Sequence, residues 1–157
     1  NSQDLKPYEL VTLNASLKAK DIASKEKNCD VIIIGADTVV TIDDKIYGKP
    51  KDKYEAIEFL KILSGRSHKV LTGIAVITAD DCIVDYVETT VIFHELSEDE
   101  IMSYVNTGEP LDKAGAYAIQ GYGAIFIKEI QGCYSNVVGL PLSKLYEICK
   151  EAGIKLL

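Results

Sequence analysis

The chain has 157 residues, enough for one domain with a hydrophobic core. Hydrophobic residues make up 47% of it and charged residues 26%, which is ordinary for a soluble globular protein. The net charge of -7 argues against general affinity for nucleic acid or for an anionic membrane, although a few local lysines can still hold a small phosphorylated ligand.

The cysteines and the apolar runs indicate where such a protein works. Four cysteines lie far apart without a Cys-x-x-Cys pair, which indicates reduced thiols in a cytoplasmic protein: Cys29, Cys82, Cys133 and Cys149. The longest apolar run, from Val31 to Ala36, is too short to span a bilayer, and no signal peptide is visible. We therefore expect a cytoplasmic protein that binds neither nucleic acid nor membrane.

The first third of the chain predicts a helix followed by strands. Residues from Pro7 to about Lys27 have helical periodicity, with one apolar face formed by Leu10, Leu13, Leu17 and Ile22. The β-branched run Val31–Ile34 then predicts a central strand covered by helices on both faces. Asp43 and Asp44 form a hairpin turn between two further short β-rich runs.

The rest of the chain alternates between stretches with helical periodicity and stretches typical of β-strands. Helices are expected from Asp52 to Leu63, after the capping-box pattern Ser97–Glu100, and from Pro141 to about Gly153, the last with an apolar face of Leu142, Leu145, Ile148 and Cys149. Residues 69–78 and 82–93 predict an antiparallel hairpin, and residues 124–130 a further strand. We predict one α/β domain over residues 1–157, with a mixed twisted sheet flanked by helices.

Asp37 is the first candidate for chemistry. It follows the apolar strand after two small residues, and ligands of open α/β sheets bind beyond strand ends. A carboxylate there can bind a divalent metal ion or accept a proton from water that attacks phosphorus. The alternative is that Asp37 only caps a turn or begins the next element.

Two groups of lysines are candidates for binding phosphate. Lys49 lies between glycine and proline on a stiff, irregular backbone, where an ammonium group can offset charge on a leaving pyrophosphate. The alternative is a solvated lysine in a turn. Lys18 and Lys20 lie on the first helix beside Asp21, where a solvated helix face is the simplest interpretation.

The segment from Gly108 to Gly123 is the most unusual stretch of the chain. Its glycines permit close approach of the backbone to a ligand, and it contains Glu109, Asp112, Lys113 and Gln120. The Gln120 amide offers both a donor and an acceptor, which suits the edge of a nucleobase. Glycine-rich connections also serve simply as turns, so this segment alone decides nothing.

Taken together, these stretches resemble the Maf (septum-formation) family of nucleoside triphosphate pyrophosphatases. Six pieces match in order and cover nearly the whole chain: residues 17–19, 34–40, 48–50, 63–73, 112–121 and 135–141. The resemblance implies a fold similar to inosine-triphosphate pyrophosphatases, with a central cleft. It also implies hydrolysis of a nucleoside triphosphate to the monophosphate and pyrophosphate with a divalent cation, Mg²⁺ or Mn²⁺.

The resemblance also implies roles for individual residues. The aspartate matching Asp37 activates water, and the lysines matching Lys18 and Lys49 lie in the substrate pocket. The pair Thr38 and Gln120 is similar to the subgroup acting on dTTP, UTP and modified pyrimidine nucleotides. The resemblance makes three residues candidates for the rim of the site: Glu109, Asp112 and Lys113. Dimers are common in the family, so a homodimer is a further expectation.

One departure from the family pattern concerns the N-terminus. Family members begin with a strand leading into a Ser-x-Ser-Pro-Arg-Arg motif, a helix and a glutamate-bearing strand, none of which matches this sequence. Its arginines would help to hold the triphosphate, and its glutamate the metal. We favour an incomplete sequence, because a natural absence would expose an unpaired strand edge. The alternative is a catalytically inactive nucleotide-binding or regulatory module.

Overall fold

The computed structural model of the chain describes residues 4–157. Within them, ten helices and strands follow one another: α1 Pro7–Lys25, β1 Ile33–Ile42, β2 Lys45–Tyr47, α2 Lys53–Leu63, β3 Ser67–Ile77, β4 Cys82–Phe93, α3 Glu98–Asn106, β5 Ile127–Gln131, α4 Tyr134–Val138 and α5 Leu142–Glu151. Three short 3-10 turns lie in or next to the glycine-rich segment: Glu109–Asp112, Ala114–Ala116 and Tyr122–Phe126.

The five strands form one sheet in the order β2-β1-β3-β4-β5. The predicted α/β class is confirmed, and so is the hairpin of β3 and β4. Every pairing among residues 4–157 is antiparallel, however, so the parallel strands expected of a mixed sheet are not found in this part of the chain. The reason is that neighbouring strands here are joined by hairpins or by connections that reverse direction.

Strand β1 differs from its prediction in two ways. Asp37 does not follow the strand but lies inside it, opposite Gly73 of β3, because Gly35 and Ala36 continue the strand instead of ending it. The strand is also not covered on both faces, since Ile34 is 44% exposed. Strand β2 pairs only with residues 40–42, so residues 33–39 form a sheet edge within the described chain.

The hairpin between β1 and β2 is confirmed. Asp43 and Asp44 occupy its turn with φ angles of 52° and 59°. Two successive residues with positive φ match the twist of the flanking strands, and aspartate tolerates this conformation better than most residues.

Helix α1 packs on the sheet through small residues rather than through its leucines. Its buried residues are Val11, Ala15 and Ala19, whereas three members of the predicted face are exposed: Leu13, Leu17 and Ile22. The sheet offers glycines beneath the helix: a Cβ atom on Gly73 would lie 2.2 Å from the Val11 carbonyl oxygen. The backbones therefore approach so closely that small side chains, and not large ones, fit between them.

The largest part of the core lies where α2 and α3 pack against the other end of the sheet. Both helices begin as predicted, with Asp52 accepting from the Glu55 amide and Ser97 forming a capping box with Glu100. Helix α5 buries Leu145, Ile148 and Cys149 as expected, while Leu142 is exposed. All four cysteines are unpaired. No helix in residues 4–157 combines the length and apolar character needed to cross a membrane.

Candidate active site

A cavity of about 360 Å³ opens beside β1, between that strand and the segment that follows α3. Seven of the eight predicted site residues line it: Lys18, Asp37, Thr38, Lys49, Asp112, Lys113 and Gln120. They come from α1, β1, the connection after β2, and the glycine-rich segment. Residues as far apart in the sequence as Lys18 and Gln120 therefore meet around one cavity.

Asp37 is held at the wall of this cavity by two side chains of α1. Its Oδ1 accepts from Lys18 Nζ at 2.7 Å, and its Oδ2 accepts from Asn14 Nδ2 at 3.0 Å. Lys18 also donates to the carbonyl oxygen of Ala36 at 3.2 Å. Asn14 and Lys18 lie one helical turn apart on the same face of α1, so both reach the same carboxylate. The arrangement fixes the direction in which the carboxylate points.

The other two lysines differ in their ion pairing. Lys113 Nζ lies 3.3 Å from Asp112 Oδ1. Lys49 is exposed and makes no ion pair within residues 4–157, so its charge is available to a ligand. The preceding Gly48 carbonyl accepts from the Gly115 amide at 3.0 Å, which ties the lysine's segment to the glycine-rich segment across the cavity.

Thr38 is anchored from behind by buried polar groups. Its Oγ1 lies 2.8 Å from Oγ1 of Thr72, which in turn donates to the Asn136 carbonyl oxygen at 3.2 Å. The Asn136 side chain donates to the Val70 carbonyl at 3.1 Å and to Thr89 Oγ1 at 2.9 Å. Since Thr72 and Asn136 are fully buried, this network ties β1, β3, β4 and α4 together behind the cavity wall.

The glycine-rich segment reaches β1 because of its backbone conformation. Gly115 and Ala116 have φ angles of 69° and 64°, and a Cβ atom on Gly115 would lie 2.6 Å from Val40 Cγ2. The turn they make directs the following residues, as far as Gln120, along the cavity. Glycine is needed at position 115 because any side chain there would collide with β1.

Glu109, the eighth predicted residue, does not line the cavity. Its carboxylate accepts from the amides of Tyr122 and Gly123, each at 3.0 Å. Partial burial opposes the charged form, but hydrogen bonds from the Tyr104 hydroxyl and these two amides outweigh it, so the pKa of Glu109 lies below its ordinary value. Glu109 stabilises the segment that carries Gln120 instead of forming the rim.

Tyr104 completes this support. Its hydroxyl, besides hydrogen-bonding Glu109, accepts from the Ala118 amide at 3.1 Å. Glu109 and Tyr104 therefore hold residues 118–123 at both ends, with Gln120 between them. Tyr104 is a residue of α3 that is buried in the hydrophobic core, and its ring packs edge-on against Phe126.

His68 lies in strand β3, next to the cavity. It is buried, and its Nε2 lies 2.7 Å from the hydroxyl of Tyr117. Burial lowers its pKa to about 4, so the imidazole is neutral at pH 7. His68 does not line the cavity. It contacts the site through Tyr117, which is part of the cavity wall. Its role is therefore structural rather than that of a general base.

Three polar residues of this site escape an analysis of the sequence. Asn14, Thr72 and Tyr104 act through partners 23, 34 and 14 positions away, respectively. One signal was present for Asn14, because it precedes Lys18 by four positions on a helix. Thr72 and Tyr104 lie within apolar stretches, where a single polar residue gives no hint of its partner.

Comparison with known proteins identifies the family of the chain. The sequence model of the family described as "Maf-like protein" matches residues 1–152, and the chain belongs to that family. A protein named dTTP/UTP pyrophosphatase from Clostridium botulinum (strain Eklund 17B / Type B) is 58% identical over 137 residues, which cover 86% of this chain and 72% of the relative. A protein of the same name from Bacillus anthracis is 49% identical over 148 residues, covering 94% of this chain and 76% of the relative.

Proposed function

We propose that the chain is a nucleoside triphosphate pyrophosphatase that hydrolyses dTTP, UTP and modified pyrimidine nucleotides to the monophosphate and pyrophosphate. The observation that carries the proposal is the Asp37 carboxylate, oriented by Lys18 and Asn14 at the wall of a cavity that also contains Lys49 and Gln120. The relatives named dTTP/UTP pyrophosphatase, at 49–58% identity, support the same substrates.

In the proposed reaction, water attacks the α-phosphorus of the nucleotide and the bond from that phosphorus to the bridging oxygen breaks. Asp37 accepts the proton that the water loses, and pyrophosphate leaves with the electron pair of the broken bond. Lys49, which has no carboxylate partner in the described chain, offsets the charge that develops on the leaving group. Lys18 contributes a second positive charge next to the carboxylate.

We propose that Asp37 binds a divalent cation, Mg²⁺ or Mn²⁺, together with the phosphate oxygens of the substrate. Magnesium commonly takes one or two protein carboxylates and completes its shell with phosphate oxygens and water. Residues 4–157 hold no cluster of three or more histidine, cysteine or acidic side chains suited to a metal ion, so Asp37 would share the cation with the substrate. A bound cation would supply positive charge to the phosphate oxygens.

The proposal is tested by pyrophosphate release from dTTP and UTP with Mg²⁺ or Mn²⁺. Asp37→Asn keeps the shape of the side chain but removes the proton acceptor, so turnover should fall by at least about 100-fold. The matched control is Asp44→Asn in the exposed β-turn, where asparagine also tolerates the φ of 59°. Normal turnover by a folded Asp37→Asn protein would disprove the assigned role.

A second candidate is a nucleotide-binding or regulatory module without turnover. It is favoured by one observation: both oxygens of Asp37 already accept hydrogen bonds, from Lys18 and Asn14. Nucleotide binding by the full-length protein without any pyrophosphate release would support this candidate. A cytoplasmic location, a homodimer, the absence of nucleic-acid and membrane partners, and the action of residues 1–157 as one domain stay predictions.

A further inference from the structure

A groove of about 350 Å³ lies between α3 and the 3-10 turn Tyr122–Phe126. No residue lines both this groove and the cavity beside β1, so the groove is distinct from the candidate active site. Its wall on the side of the turn is apolar and exposed to water, since Tyr122 is 69% exposed and Ile125 77%. Large apolar side chains that lie together in water are typical of a surface that binds another molecule.

The backbone of the turn keeps these two side chains in water. A 3-10 helix has three residues per turn, so Tyr122 and Ile125 point to one side, and Gly123 and Phe126 to another. The second side is packed against α3: Phe126 is buried against the Tyr104 ring, and a Cβ atom on Gly123 would lie 2.6 Å from the Tyr104 hydroxyl oxygen. Turning Tyr122 and Ile125 inward would expose Phe126, so the apolar side of the turn stays available to a partner.

The opposite wall, which α3 provides, is acidic. Asp99 and Glu100 line the groove there, and both are exposed. Among residues 4–157, no lysine, arginine or histidine lines the groove, so the two carboxylates lie along it without a positive charge beside them. A complementary partner must therefore bring apolar side chains for the turn and positive charge for α3.

The two walls also indicate the shape of the partner. An extended segment binds by adding to an unpaired strand edge, but no strand residue of the described chain lines the groove. An amphipathic helix needs only a groove that accepts side chains about one turn apart. The lining, a helix on one side and a short turn on the other, fits the helical partner better.

We propose that this groove binds an amphipathic helix of a partner protein, with apolar side chains against the turn and lysine or arginine side chains beside Asp99 and Glu100. The net charge of -7 attracts such a basic segment and raises its rate of association. The proposal does not depend on the proposed function, because the groove and the candidate active site share no lining residue.

The experiment measures binding of two labelled peptides to the whole chain by fluorescence anisotropy. Each peptide has about 16 residues, enough to form a helix, with a stripe of leucines on an alanine background. Lysines flank the stripe in the first peptide, and glutamates replace them in the second. The lysine peptide should bind at least about 10-fold more tightly at low ionic strength, and the ratio should fall as salt is added, because salt screens exposed charges.

Two apolar substitutions locate the binding surface. Ile125→Ser removes the most exposed apolar side chain of the groove, so affinity for the lysine peptide should fall by about 10-fold or more. Met102→Ser is the matched control, since Met102 is an exposed apolar residue of α3 that does not line the groove. It should leave the affinity unchanged. Thermal unfolding checks that both variants are folded.

Two pairs of charge substitutions separate the groove from the overall charge. Asp99→Asn combined with Glu100→Gln should weaken binding of the lysine peptide by about threefold or more. Asp80→Asn combined with Glu151→Gln removes the same charge from exposed positions outside the groove and should have a smaller effect. Equal effects of the two pairs would show that the net charge alone attracts the peptide, which would overturn the proposal.

The other outcomes are equally decisive. Equal binding of both peptides, no binding of either, or an unchanged affinity in a folded Ile125→Ser protein would each overturn the proposal. Gel filtration tests a different occupant: a wild-type dimer that Ile125→Ser converts to a monomer would place a second copy of the chain in the groove and overturn the proposal as well. Loss of pyrophosphate release from dTTP and UTP would count against the proposed function alone.

Discussion

At the scale of single residues, the site depends on which of two neighbouring lysines contacts the Asp37 carboxylate. Lys18 and Lys20 are two positions apart on α1, and the sequence gives both the character of a solvated helix face. Of the two, Lys18 contacts Asp37, at 2.7 Å, and Lys20 does not. The difference lies in the packing of the helix and not in the lysines themselves.

We expect Lys18→Ala to reduce kcat/KM for dTTP by about 10- to 100-fold, because it removes positive charge at the reacting centre and one support of Asp37. Lys20→Ala is the matched control, since it removes the same charge from an exposed position on the same helix. Steady-state kinetics on the two variants measures the difference. Equal effects would mean that only the overall charge of the helix matters.

His68 gives a prediction about stability and pH. Its pKa is lowered to about 4 by burial, so between pH 6.5 and 4 the unfolded chain binds a proton that the native protein excludes. Its contribution to stability is therefore complete above pH 6.5 and is lost progressively as the pH falls to 4. From pH 7 to pH 5 the loss should be about 2 kcal/mol.

Urea unfolding at the two pH values tests this expectation with His68→Gln, which cannot titrate. The variant should lose about 2 kcal/mol less than the wild type over the same interval. His94→Gln, at an exposed position, serves as the control and should follow the wild type. If the free energy of unfolding changes with pH equally in the wild type and in His68→Gln, the lowered pKa of His68 is contradicted.

At the scale of elements, the spacing between α1 and the sheet links stability to the site. Gly73 lies opposite Asp37 in the sheet, and a Cβ atom there would lie 2.2 Å from the Val11 carbonyl oxygen of α1. Any side chain at this position must push away the helix that carries Asn14 and Lys18. The distance between the backbones of α1 and β3 therefore determines whether the side chains of α1 reach the Asp37 carboxylate.

We expect Gly73→Ala to destabilise the protein by about 1–3 kcal/mol or more, and to reduce turnover in the fraction that stays folded. Gly48→Ala is its control, because a Cβ atom there meets no atom within 4 Å. Thermal unfolding compares the stability of the two variants, and pyrophosphate release compares their turnover. Equal stability of both would show that α1 can retreat from the sheet without cost.

The segment after α3 depends on a single carboxylate in a similar way. Glu109→Gln replaces one accepting oxygen with a donor, so one of its bonds to the Tyr122 and Gly123 amides should be lost, at a cost of about 1–3 kcal/mol. Amide hydrogen exchange should then be faster at these two residues than in the wild type. Glu129→Gln, at an exposed position of strand β5, should leave their exchange unchanged. If the Tyr122 and Gly123 amides exchange as slowly in Glu109→Gln as in the wild type, Glu109 is not needed to hold this segment.

At the scale of the whole molecule, the sequence predicts features with a local signal better than those set by long-range packing. The caps at Asp52 and Ser97 and the turn at Asp43–Asp44 are confirmed, because each involves neighbours within a few positions. The prediction of which face of α1 is buried was wrong, because leucines are a stronger local signal of burial than alanines. Alanine is preferred there since glycines of β1 and β3 lie beneath it, which periodicity within the helix does not reveal.

The candidate site shows the same division. Family membership, confirmed over residues 1–152, was predictable from six pieces in order, and these pieces contain the seven predicted residues that line the cavity. The resemblance to the family makes Glu109 a candidate for the rim of the site, beside Asp112 and Lys113. In the structure its carboxylate accepts from amides 13 and 14 positions further on, and only a folded backbone specifies those partners.

The unpaired cysteines have a consequence for handling the protein in solution. Cys29 and Cys82 are exposed, so their thiols can meet those of a second molecule. Oxidation by dissolved oxygen would join two such thiols in a disulfide. Storage without a reductant should therefore give covalent dimers, which a reductant converts back to single chains.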